Sequence, residues 1–362
     1  MASAMSHKLS VDTLLMDLVS IPSLSGAEPR AVSWLVDRMD EYGFQARIDG
    51  AGNAVGSLGT GPLEILLLGH IDTVPGHIPV RIEDGVLFGR GAVDAKGPLV
   101  TFVAGALKAD VPADVKLTVV GAVGEESYGS PGATWLRDNY PAPEALIIGE
   151  PSGWDGIVLG YKGSLSFTAR YSCELSHSAG PEATAAETIT GFWTVVLHWL
   201  RAVNGDIEPG FHSLDGVLQR LASGGDGLTE WAEIGASFRL PPSIESAQVR
   251  AEVDLIAREF GVPVKWAFNA EAFRCDRRSP LVAAFNAAIR AQGEKPRLKV
   301  KTGTSDMNVV GPAWGCPTLA YGPGDSTYDH TPHEQIDLTD VGRAVDVLAG
   351  ALGRFAAGIS RL

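Results

Sequence analysis

Near the start of the chain, apolar positions recur at helical spacing: Leu14, Leu15, Leu18 and Val19, then Val32, Leu35, Val36 and Met39, with Pro22 and Gly26 separating the two runs. This predicts two opening helices. The pattern then changes to short continuous apolar runs, ILLL at 65–68, LTVVGAV at 117–123 and ALII at 145–148, separated by a Gly-rich turn and a helical stretch at 99–107. Runs of this length alternating with helices predict buried strands of an α/β layer. Each run ends in ionisable residues: GHID, GEES and GEPS. Ligands of open α/β sheets sit beyond the carboxyl ends of the strands, so three such endings together point to one site.

After Pro151 the texture changes. GSLSFTARYSCEL alternates as an antiparallel strand would, 185–203 has helical spacing, and WAEIGASFRLPP, a helix at 246–260 and VPVKWAF complete a second α/β unit. From Ser279 a helix leads back to GTSDMNVV and LAYGPG. The expected organisation is an α/β protein whose body, 1–162 and 273–362, is interrupted by a smaller α/β insertion at 163–272. A length of 362 residues suits two domains.

Composition narrows the class. With 45% hydrophobic and 20% charged residues the chain is a folded protein. Its net charge of -14 argues against a general nucleic-acid binder or an adherent of anionic membranes. Cys173, Cys275 and Cys316 form no C-x-x-C pair, so neither a disulfide framework nor a thiolate zinc cluster is expected. The N-terminus lacks the pattern of a signal peptide, and no apolar run approaches the roughly 18 residues of a spanning helix. A cytoplasmic protein is the expectation.

The chemistry concentrates in His70, Asp72, Asp94, Glu125, Glu126, Glu150 and His330. Imidazole mixed with carboxylate suits zinc, cobalt or manganese, whereas an all-oxygen set would point to magnesium or calcium. His70 and Asp72 stand two apart at a strand end, so their side chains leave on the same side and the carboxylate can hold the imidazole tautomer. Asp94 lies in GRGAVDAKG, a Gly-bracketed loop. A phosphate loop is excluded there, since neither G-K-[ST] nor G-x-G-x-x-G after a strand occurs. Side chains of the adjacent Glu125 and Glu126 diverge, so one carboxylate can bind metal while its neighbour faces a bound water. A hydrolase needs that division, with a metal polarising a carbonyl and a carboxylate moving the proton.

LLLGHIDTVPG, LFGRGAVDAKG, GEES, IIGEPS and DHTPHEQI, in this order between residues 66 and 336, resemble the di-zinc amidohydrolases and exopeptidases that include acetylornithine deacetylase, succinyl-diaminopimelate desuccinylase and glutamate carboxypeptidase. The resemblance implies a three-layer α/β/α catalytic domain of di-zinc aminopeptidase type with an inserted lid and dimerisation domain. It implies His70, Asp94 and Glu150 on one divalent ion and Asp94, Glu126 and His330 on the other, with zinc expected and cobalt suited to the same ligands. Glu125 matches the general acid/base and Asp72 the partner of His70. The peptide after Asp94 is expected to be cis.

In the inserted segment, His177 matches a histidine that reaches the other subunit's site and supports the oxyanion, which implies a homodimer. Arg239 matches a lid arginine that holds a substrate carboxylate. The family's usual acidic residue two positions earlier is replaced by Ser237. Gly303 and Thr304, in GTSD, match a substrate-contacting loop. Within the family, the length, the wording GHIDTVPGHIPVR and GRGAVDAKGP, and FRLPP are most similar to hydrolases that release lysine or ornithine from a LysW-type amino-group carrier protein in lysine or arginine biosynthesis. An acidic carrier would call for a local basic rim, for which Arg81, Arg90 and the group Arg274, Arg277 and Arg278 are candidates. An N-acetyl-lysine or N-acetylornithine deacetylase, or another small-molecule N-acyl-amino-acid hydrolase, is the alternative. A catalytically silent amino-acid or peptide binder is a third reading, against which stands the retention of every ligand and Glu125.

Overall fold

The computed structural model describes residues 10–177 and 179–361. They divide into two units. One runs up to Gly160 and resumes with Cys275–Val300 and from Val309 onward; the other is Tyr161–Arg274 with Lys301–Asn308.

The first unit is built on a mixed sheet whose neighbouring strands are, in order, Gln45–Ile48, Ala54–Leu58, Val115–Ala122, Leu63–His70, Ala145–Gly149, Thr318–Ala320 and Gly156–Tyr161. Its centre is parallel. Leu63–His70 pairs with Val115–Ala122 from Leu63↔Val115 to His70↔Ala122, and with Ala145–Gly149 from Ile65↔Ala145 to Gly69↔Gly149. This register brings the ends of all three strands to the same edge of the sheet, and with them the residues that follow. Because these strands are buried, they read as unbroken apolar runs rather than alternating ones.

The opening helices are Val11–Val19, whose N-cap Ser10 accepts from the Thr13 N–H, and Pro29–Glu41, which starts on the proline suited to a first helical turn. Lys96–Lys108 is buried along nearly its whole length and packs between the sheet and the helices Val11–Val19 and Leu338–Ile359, so it shows little amphipathic pattern. Its approach is close. A side chain at Gly149 would come within 2.9 Å of both Phe102 and the Gly69 backbone, so glycine is required there. A small separate sheet pairs Gln335–Asp337 with Val86–Phe88 and Val86–Phe88 with Arg81–Glu83. Two of its strands, Arg81–Glu83 and Val86–Phe88, lie just before the Asp94 loop in sequence, and the third follows His330.

The second unit has its own antiparallel sheet, in the order Asp215–Gly225, Thr229–Leu240, Gly163–Glu174 and Val264–Ala270. Helices Ala185–Asn204 and Ser246–Glu259 cover it, the former opened by a capping box between Thr184 and Glu187. Phe167, Phe192, Trp193 and Phe238 fill the core between them. Residues 301–308 were expected from the sequence in the first body, yet they join this unit. The Thr304 hydroxyl donates to the Lys162 carbonyl at 3.1 Å, and the Asn308 amide donates to the carbonyls of Lys162 and Glu271 at 3.2 and 2.8 Å. Such hydrogen bonds between distant segments leave no local pattern. All three cysteines are free. Among the described residues, no helix is long and apolar enough to cross a membrane.

Candidate metal centre

Five segments of the first unit bring the acidic residues and histidines together. His70 closes the strand Leu63–His70, Glu125 and Glu126 follow the strand Val115–Ala122, and Glu150 follows Ala145–Gly149. Gly124, at φ +71°, turns the chain between Val123 and Glu125 in a conformation open to glycine. Asp94 stands at the start of the buried helix Lys96–Lys108, with a cis peptide to Ala95. His330 arrives from the far end of the chain at φ 61°.

The side chains form three overlapping groups, His70 with Asp94 and Glu150, Asp94 with Glu126 and His330, and His70 with Glu125 and Glu126; within each, one ligand atom per residue lies within 4.8 Å of the others. Asp94 faces both histidines. Its Oδ1 is 3.2 Å from His70 Nε2 and its Oδ2 3.0 Å from His330 Nε2, while Glu126 Oε1 is 2.7 Å from the same His330 nitrogen. Imidazole and carboxylate donors so arranged fit divalent zinc or cobalt, and the two groups implied by the resemblance are both present in this geometry.

The electrostatics have the same direction. His330 is pushed up to about 10 by its hydrogen bonds to Asp94 and Glu126. Burial would push the His70 imidazole down, yet Asp72, Asp94 and the nearby charge of Glu125 hold it well above its ordinary value. For Asp94, burial favours the neutral acid, but the bonds to His330 and His70 prevail and hold the carboxyl below its usual range. Glu126 is raised, by burial first and then by the Asp94 charge acting against the His330 bond. A crowded set of carboxylates therefore draws positive charge into a mostly buried space, and that demand suits a cation site.

Asp72 does more than face His70. Its carboxylate lies 3.5 Å from His70 Nδ1, accepts the backbone N–H groups of Glu125 and Glu126 at 3.0 Å each, and accepts the Ser25 hydroxyl at 2.7 Å. One buried carboxylate thus fixes both a histidine and the loop bearing two glutamates. Lys96 of the same GRGAVDAKG motif donates to the carbonyls of Leu18 and Ile21 at 3.2 and 2.7 Å, at the end of the first helix. Burial lowers its amine to about 8. Sequence reasoning missed Ser25, Lys96 and also Glu334, whose carboxylate accepts the N–H groups of Val93 and Asp94. Only the spacing of Glu334 from His330 marks it in the sequence. Arg90 departs from the expected basic rim: its side chain is largely buried and bound to Glu334. Arg81 pairs with Glu83 and lies over the Phe88 ring.

The remaining sequence-derived candidates lie in the second unit. Arg239 donates to the Thr304 hydroxyl at 2.8 Å, which joins the FRLPP strand to GTSD. No carboxylate pairs with this arginine among the described residues, and burial lowers its pKa. Ser237, where an acid would stand, is buried and supplies no charge. Gly303 is exposed, with open space around its Cα. His177 is exposed beyond the strand Gly163–Glu174, and its Nδ1 accepts the Ala179 N–H at 3.1 Å.

Comparison with known proteins places this arrangement in context. The model of peptidase family M20/M25/M40 matches residues 66–354. A protein of Deinococcus radiodurans described as LysW-lysine hydrolase is 45% identical over 95% of this chain and 97% of its own length. A LysW-lysine/LysW-ornithine hydrolase of Saccharolobus islandicus is 29% identical over 92% of each chain. The crystal structure of an M20 family metallo-carboxypeptidase from Sulfolobus solfataricus superposes with a TM-score of 0.79 at 16% identity, covering 97% of this chain and 100% of that one. That last likeness is one of fold.

Proposed function

The chain belongs to peptidase family M20/M25/M40, and from that premise we propose that it is a two-metal amide hydrolase releasing lysine, or ornithine, from a LysW-type carrier protein. The observation that carries the hydrolase chemistry is the sharing of Asp94 between two compact donor groups. The observation that supports the substrate is the 45% identity to LysW-lysine hydrolase along almost the whole chain.

His70, Asp94 and Glu150 would hold one divalent ion and Asp94, Glu126 and His330 the second, zinc being the ion these donors suit best. Bound there, the ions supply a polarised carbonyl and a more acidic water. Glu125 takes the proton of the attacking water and returns it to the leaving amine, a transfer suited to a carboxylate beside the donor cluster. Asp72 keeps His70 and the Glu125–Glu126 loop in place. Arg239, oriented by Thr304, receives the carboxylate of the amino acid to be released, and the lack of an acidic partner among the described residues suits a guanidinium that takes one from the substrate. Gly303 leaves that side open. His177, contributed by the second copy of a homodimer, donates to the developing oxyanion. The insertion then serves as lid and dimerisation domain, and the enzyme works in the cytoplasm.

The test compares lysine and ornithine release from the aminoacylated carrier with release from N-acetyl-lysine and N-acetylornithine, using the metal-loaded chain. The expected kcat/KM strongly favours the carrier conjugate. Equal or better turnover of the acetylated amino acids would assign the chain to the small-molecule deacetylases instead.

A further inference from the structure

The segment that follows His330 meets the Asp94 loop a second time, through a side chain outside the donor groups. Glu334 is 1% exposed. One of its carboxylate oxygens accepts the N–H of Val93 at 3.0 Å and that of Asp94 at 3.1 Å; the other accepts from Arg90 at 2.8 Å. Arg90 also donates to the Gly76 carbonyl at 3.2 Å. The pairing of Gln335–Asp337 with Val86–Phe88 delivers Glu334 to this place, and the Gly89 N–H donates to its carbonyl at 3.3 Å. With its oxygens taken by three donors, Glu334 is poorly placed to bind a metal ion itself. Its geometry repeats that of Asp72, since each is a buried carboxylate receiving two consecutive N–H groups of a loop that bears acidic ligands.

We propose that Glu334, backed by Arg90, is the positioning residue for Asp94. By holding the Val93–Asp94 backbone it sets the direction of the Asp94 side chain, so that one oxygen faces His70 and the other His330. Because Asp94 belongs to both donor groups, release of this hold weakens both ions together, whereas a defect at a ligand of one group acts first on one ion. The inference rests on the reading of Asp94 as the shared ligand.

The experiment is a competition titration of Zn2+ against a chromophoric chelator, using the metal-stripped full chain and its Glu334→Ala, Glu334→Gln and Arg90→Ala variants. Thermal unfolding of the metal-free proteins is recorded in parallel. Glu334→Ala should bind both ions about 10- to 100-fold more weakly, the range found for partners that orient metal ligands. Glu334→Gln keeps an oxygen for the two N–H groups and should recover much of that loss; Arg90→Ala should weaken binding less than Glu334→Ala. A purely structural role would lower the unfolding temperature and leave Zn2+ affinity well below that temperature unchanged. Parent-like affinity for both ions in Glu334→Ala, or weakening of one ion alone, overturns the proposal. Should that variant fail to fold, parent-like affinity in both Glu334→Gln and Arg90→Ala overturns it. A parent chain that binds fewer than two Zn2+ overturns the shared-ligand reading itself, before any variant is considered.

Discussion

The donor cluster of the first unit and the Arg239 neighbourhood of the second are built on opposite principles. In the first, histidines and carboxylates from five segments crowd within a few ångströms, and two of the loops that carry them are tied down by buried carboxylates that take backbone N–H groups. In the second, one partly buried guanidinium is held by a hydroxyl and, among the described residues, has no carboxylate partner, while His177 stands exposed on a loop. The first gathers donors that could hold cations. The second is a cation in need of an anion, which suits a surface that acquires its partner from a substrate. On the proposed reading the metal chemistry belongs to the first unit and the substrate carboxylate to Arg239 of the second, and each role can be broken separately.

The largest effect is expected at Glu125. Glu125→Ala should lower kcat by about 10²- to 10⁴-fold, the usual contribution of a general acid/base, while Zn2+ affinity stays near that of the parent. This sharpens a real ambiguity, because Glu125 also lies in a donor group with His70 and Glu126. Loss of an ion in that variant would make Glu125 a ligand rather than the proton carrier, and normal turnover would remove it from the mechanism.

At Arg239 the expected effect is smaller and of another kind. Arg239→Ala should lower kcat/KM by roughly 30-fold or more, about 2 kcal/mol for a lost charge-assisted contact, with both ions still bound. Arg239→Lys should recover only part of this, since an ammonium lacks the planar fork that meets a carboxylate with two bonds. If Arg239→Ala kept full kcat/KM on the carrier conjugate, the arginine would have no part in holding the substrate.

The first unit was the more legible in the sequence, for a physical reason. Parallel strands buried on both faces demand unbroken apolar runs, and their aligned ends place His70, Glu125, Glu126 and Glu150 beside one another. Asp72 was visible by its spacing from His70, but its two bonds to the Glu125–Glu126 backbone were not, because a carboxylate reaching a distant loop leaves no period. The same holds for Glu334 and Ser25. Strand Asp215–Gly225 escaped notice because it is an edge strand with several exposed positions, three glycines and a register shift between Leu218 and Arg220, so its alternation is blurred. The helix Leu338–Ile359 was likewise not anticipated. Its buried Val341, Ala344, Val345, Leu348, Leu352 and Phe355 recur at helical spacing, so the pattern for it was present in the sequence.

If Asp94 is the shared ligand of two ions, add-back of Zn2+ to the metal-stripped chain, with lysine release from the carrier conjugate followed, reads the number of ions that activity needs. No release without metal and activity that saturates at two ions per chain is the predicted result. Undiminished release by the stripped chain, or full activity with a single ion, would contradict it.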